Sequence, residues 1–124
     1  MEVFLEKMTS LKLGWLAMRQ SAIAANIANA NTPAFKAQDV TPFSAVFDKT
    51  ALDLVLTSAE HLSIDENQTV GRMSDERNPW EITDSGNSVS LENELMKSGS
   101  VNQEYKLTTN IIKAFDSMFS SAIK

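Results

Sequence analysis

The chain contains no cysteine, which removes disulfides, thiolate nucleophiles and thiolate metal sites together. Histidine is nearly as scarce. With His61 alone and no Cys beside it, neither a His-based metal site nor a catalytic triad can be assembled within one chain. Four widely scattered glycines supply no phosphate-cradling loop and no dinucleotide fingerprint. No apolar run approaches the roughly 20 residues needed to cross a bilayer, so no membrane span is expected. The opening stretch MEVFLEKMTSLKLGW mixes acids with bases and lacks both an unbroken apolar core and a small-residue cleavage site, so a cleavable secretory signal is not expected either.

Positive charge is also in short supply. The net charge is −5, and it is concentrated in residues 36–88, where four bases face ten acids. That middle would repel a polyanion, and neither end carries a basic stripe, so nucleic acid is not an expected partner. The acids Asp65, Glu66, Asp75, Glu76, Glu81 and Asp84 lack the ligand spacing of a calcium loop and suit a solvated segment. Ser121 to Lys124 spells Ser-x-x-Lys without the accompanying motifs of the acyl-transfer enzymes that use it. Asn67-Gln-Thr69 matches a glycosylation acceptor that has meaning only in a eukaryotic secreted protein. No catalytic, cofactor-binding or metal-binding residue is assigned.

Helical periodicity is what the sequence does have. From Glu2 to about Asn29 there is no proline, and Phe4, Met8, Leu11, Trp15, Met18, Ala22 and Ala25 recur at alternating steps of four and three, the seam of a coiled coil. Leu16, Ile23 and Ile27 widen this stripe, which predicts more than one helical neighbour. The helix is expected to end near Asn31, because Pro33 pushes Thr32 out of the α region. Residues 30–42 then read as an extended connector. Phe43, Val46 and Phe47 predict one helical turn, and Leu52, Leu54 and Leu56 a short strand. Residues 63–86 predict loops with a small hairpin. There Gly71 is expected in a solvated loop where a change to Ser is nearly silent.

A second helix is expected after Ser88 to Ser90, with serines to cap it and Glu92 and Glu94 suited to its positive end. Leu91, Leu95, Ser98, Asn102 and Tyr105 follow the same spacing. The apolar line continues through Val101, Thr108, Ile112, Phe115, Phe119 and Ala122. Gly99 marks a point where this helix is expected to kink or break. The predicted fold is mainly α: long N- and C-terminal helices pairing as a coiled coil, with an irregular or small β middle segment. The whole forms one domain divided at 1–31, 32–88 and 89–124. The middle offers few apolar anchors and the heptads outrun the needs of a small core, so the terminal helices are expected to assemble with other helices. Asn26, Asn29 and Asn102, polar groups on helices expected to be buried, would need partners and would fix register.

The segment SAIAANIANANTPAFKAQDV, residues 21–40, resembles the signature of bacterial flagellar axial proteins of the rod and hook class. Asn26, Ile27, Ala28, Asn29, Asn31, Thr32 and Pro33 match its asparagine-rich helix end and Thr-Pro; Ala34 stands where glycine is usual, and Phe35 where tyrosine is frequent. Leu56-Thr57, His61-Leu62 and Gly86-Asn87-Ser88-Val89, followed by Leu91, Glu94, Asn102 and Tyr105, add to the likeness. The resemblance implies a structural subunit of the proximal basal-body rod, exported without signal cleavage by the flagellar type III apparatus and polymerising in the periplasm. The partners it implies are other rod subunits, both copies of itself and a FlgC-type rod protein, together with a FliE-type adaptor, the inner-membrane ring and the export apparatus. The residues expected at the assembly interface are Phe4, Met8, Leu11, Trp15, Met18, Ala22, Asn26, Ile27, Asn29, Asn31, Thr32, Pro33, Leu91, Leu95, Asn102, Tyr105, Ile112, Phe115 and Phe119. Two rivals remain open at this point. A soluble coiled-coil adaptor or secretion chaperone would form a stable dimer and have no need of the Asn-Thr-Pro segment, and a small hydrolase would depend on His61.

Overall fold

The computed structural model describes residues 2–48, 71–76 and 82–123. Two long helices dominate it: α1, Glu2–Ala28, and α3, Leu91–Ile123. Between them lie a three-residue strand β1, Gln38–Val40, a helical stretch α2 at residues 43–48, and a second short strand β2, Met73–Asp75. The predicted turn at Phe43, Val46 and Phe47 is therefore present. The strand predicted at Leu52, Leu54 and Leu56 lies outside the described residues, as does His61.

Helices α1 and α3 pack side by side as predicted, and the pairing is antiparallel. Lys12 meets Glu104 at 2.6 Å, and eight residues further along α1 the Gln20 side chain donates to Ser98. Leu16 and Ile23, two turns apart on α1, are buried in one cluster with Val101 of α3. Trp15 and Ala22 of the predicted seam belong to the same cluster, but Trp15 turns toward the middle segment. Its ring lies 5.8 Å from that of Phe43, and its indole N–H donates to the Thr41 carbonyl at 2.7 Å. Val40 is buried with it, and Phe43 and Val46 pack against the cluster. The few apolar anchors expected of the middle are these, and they suffice because one Trp supplies a large surface to cover. The broad stripe on α1 does have two neighbours, and both are found within the chain.

Gly71 is the clearest departure from the sequence reading. It is buried, with φ at +147°, and a Cβ added there would sit 2.8 Å from Val40 Cγ1 and 3.5 Å from Trp15 Cδ1. Because the chain returns at this point against the Trp15 side of the core, a change to Ser cannot be silent.

Of residues 63–86, where a small hairpin was expected, the described strand β2 pairs antiparallel over long range with β1, Gln38 opposite Asp75 and Val40 opposite Met73, and residues 63–70 and 77–81 lie outside the described residues. Nor does α3 break at Gly99; the helix runs through it, and that glycine is exposed with nothing within 4 Å of an added Cβ. The inner face on either side, Lys97 and Val101, is held by the rest of the molecule, which offsets the roughly 1 kcal/mol that glycine costs a helix. Among the described residues no helix is long and apolar enough to cross a membrane.

Candidate assembly interface

The matched asparagines build an elbow at the end of α1. Asn26 is fully buried, and its amide clasps the backbone of Gln38 from both sides, donating to the carbonyl at 2.7 Å and accepting from the N–H at 2.9 Å. In effect its side chain stands in for a neighbouring strand. Asn29 turns back on the helix, donating to the Ala25 carbonyl and accepting from the Thr32 hydroxyl. α1 consequently closes at Ala28, and residues 29–34 turn where an extended connector was expected.

Asn87, to which sequence reading gave no role, completes the elbow. Buried at the far end of the middle segment, it donates to the carbonyls of both Asn29 and Thr32, at 2.9 and 2.7 Å, and accepts from the Val89 N–H. These two carbonyls of the turn after α1, which already accept the N–H groups of Thr32 and Phe35, each take a second hydrogen bond from one amide. Ser88 adds a hydroxyl that accepts from the Ala37 N–H, and Ala34 N–H donates to Ser85. Ala34 takes φ at +61°, the left-handed region that favours glycine, so the Ala in the usual glycine position carries backbone strain. Asn31, Thr32, Pro33 and Ala34 are exposed on the outside of the elbow.

A charge cluster ties the same region to α3. Lys97, with 11% of its side chain exposed, lies 3.1 Å from Glu76, 3.2 Å from Glu94 and 3.6 Å from Asp39, and Arg19 of α1 reaches Asp39 at 3.4 Å. Burial alone would lower the Lys97 pKa. Its hydrogen bonds to Glu76 and Glu94 and the charges of Glu94 and Asp39 together outweigh that, and the pKa stands above the ordinary 10.5. Glu76, read from sequence as part of a solvated acidic run, is partly buried here. Spacing gave no signal for this cluster, because its members come from four separate segments.

The apolar candidates divide by burial. Trp15 and Ala22 are core; Met8, Leu11, Met18 and Ile112 are half-buried; Phe4, Ile27, Leu91, Leu95, Asn102, Tyr105, Phe115 and Phe119 are exposed. The structure therefore brings Trp15, Ala22 and Asn26 into the interior of the single chain, gathers Asn29, Thr32 and Pro33 at the elbow, and leaves the distal half of α3 largely open. A second line on α3 went unread in the sequence. Leu107, Ile111, Ala114 and Met118 follow steps of four, three and four, one residue behind the first line, and all are exposed.

Nothing in these features resembles a reaction centre. Among the described residues no group of His, Asp and Glu is placed to hold a metal ion. They comprise a pre-shaped elbow, a charge-tied junction and unpaired apolar helix faces. The family model described as flagella basal body rod protein matches residues 16–36, the second half of α1 and its elbow. The flagellar basal body rod protein FlgB of Agrobacterium fabrum (strain C58 / ATCC 33970) is 38% identical over 123 residues, which cover 95% of this chain and 91% of that protein. The chain belongs to the flagellar basal-body rod proteins. It is a structural subunit of that rod, in the basal body of the flagellum, and the adaptor or chaperone reading is not favoured.

Proposed function

We propose that the chain polymerises through the outward faces of α1 and α3 into the proximal rod and helps transmit motor torque, with no catalytic role. The observation that carries this reading is the exposure of large apolar side chains along distal α3, among them Tyr105, Leu107, Phe115, Met118 and Phe119. A free helix gains nothing from such a face in water, whereas burying each side chain against a neighbour contributes about 1.5 to 3 kcal/mol. Export proceeds without signal cleavage through the flagellar type III apparatus, and assembly in the periplasm sets the subunit beside the inner-membrane ring, a FliE-type adaptor, a FlgC-type rod protein and copies of itself. Before docking, the open helix faces lack partners, so ordering of the helix ends and assembly proceed together.

The test separates folding from docking. Leu11→Asp and Ile112→Asp place a charge at half-buried positions and are expected to abolish rod assembly. Phe119→Asp, at a side chain 50% exposed in the single chain, is expected to leave the circular dichroism of the purified protein unchanged and still abolish motility. Normal swimming of the Phe119→Asp strain would defeat the proposal.

A further inference from the structure

Met96, Leu107, Ile111 and Met118 are 67%, 60%, 40% and 58% exposed and form a stripe on α3 alongside the inward face of Val101 and Thr108. α1 carries an exposed stripe of the opposite shape: Ser10, Ala17, Ser21, Ala24 and Ala28, at steps of seven, four, three and four, all small and none charged. Bulky side chains without a socket lie on one helix, and a flat surface without knobs lies on the other.

We infer that the Leu107-Ile111-Met118 stripe of one copy docks on the Ala17-Ser21-Ala24 face of α1 in a second copy. The inference rests on the rod reading and deepens it by assigning a face to each side of the contact. Within one chain the two stripes do not meet: the pairing of Lys12 with Glu104 brings Leu107 level with the start of α1, yet Ser10, Ala17, Ser21 and Ala24 and Leu107, Ile111 and Met118 all remain exposed. The contact therefore joins two copies through different surfaces. Each copy that uses its bulky stripe keeps its flat face for the next, so the contact propagates into a ring or a helix and does not close as a pair. One helix seam is also smaller than the roughly 1,200 to 2,000 Å² of a stable free interface, so it holds only where a subunit makes both contacts at once.

Absence of cysteine makes the test clean, because any disulfide arises from introduced pairs. Chains carrying Ala17→Cys or Ala24→Cys together with Leu107→Cys or Ile111→Cys would replace the natural chain in cells, and isolated basal bodies would be oxidised. The expected result is a ladder of dimers, trimers and larger products from at least one double variant, with single variants staying monomeric. Motile cells that give no ladder from any pairing, or symmetric dimers from Ile111→Cys alone, would overturn the docking while leaving the rod reading intact. Absence of the unaltered chain from purified basal bodies would instead overturn the rod reading. Should the cysteine pairs impair motility, Ile111→Lys is expected to abolish swimming, and Asp116→Lys, on the far side of α3 from this stripe, to preserve it. Full swimming of the Ile111→Lys strain would equally overturn the inference.

Discussion

Asn26 shows how one side chain can serve as a structural element. Its two hydrogen bonds hold a strand that is only three residues long and has a single true neighbour in its sheet. Asn26→Ala would leave the partly buried N–H and carbonyl of Gln38 without their Asn26 partner, and is expected to lower stability by about 1 to 3 kcal/mol, measured by urea unfolding. That Asn26 would be buried and need partners was legible, because a polar residue within an apolar stripe has to satisfy its amide. The identity of those partners was not, since they lie on a backbone whose path only the fold sets. Gly71 was misread for a related reason. It stands in a stretch, residues 63–86, that is polar and acidic as a whole, but its neighbours in space are Val40 and Trp15. Gly71→Ser is expected to cost about 1 to 3 kcal/mol through overpacking and an unfavourable φ, and thermal unfolding of the purified variant measures it.

At the level of elements, periodicity located both long helices to within a few residues, because seven-residue patterns sustained over several turns have no strand interpretation. What it blurred was which face each helix turns inward. On α1, Trp15 and Ala22 of the seam and the residues beside it, Leu16 and Ile23, are all buried, one part against the middle segment and the other against α3. On α3 the first seam was read and the second missed, as adjacent seams merge into one wide stripe. Gly99 was expected to interrupt α3 from propensity alone, yet tertiary packing on both sides carries the helix across it. Since an added Cβ meets only open space there, Gly99→Ala is expected to stabilise the chain by about 1 kcal/mol and to raise its melting temperature by a few degrees, read by circular dichroism.

Across the whole molecule, Lys97 joins what the core alone would leave loosely related. One ammonium reaches carboxylates from β1, from the residue after β2 and from α3 itself, and Asp39 extends the link to Arg19 on α1. Since the folded-state pKa of Lys97 is raised above 10.5, its contribution is fully present below that value and is lost as pH climbs through the folded one. Stability of the natural chain is expected to fall in that alkaline window, and a Lys97→Met variant to be less stable at neutral pH by about 1 to 3 kcal/mol and to lack the Lys97 part of that alkaline loss; denaturant titrations at pH 7, 10 and 11.5 check both. None of this junction was visible in spacing, because residues 19, 39, 76 and 97 share no period.

β1 and β2 lie side by side, and just beyond them Thr41 exchanges hydrogen bonds with the backbone of Arg72 through both its N–H and its hydroxyl. Residues 41 and 72 are thereby held together, while Phe43 and Val46 of α2, beyond residue 41, still pack on the core. Once these ends are held, doubling the length of chain between them adds only about 0.6 kcal/mol of closure entropy. The strand pair is thus a clasp that fixes both ends of the intervening segment at one place on the helical stem.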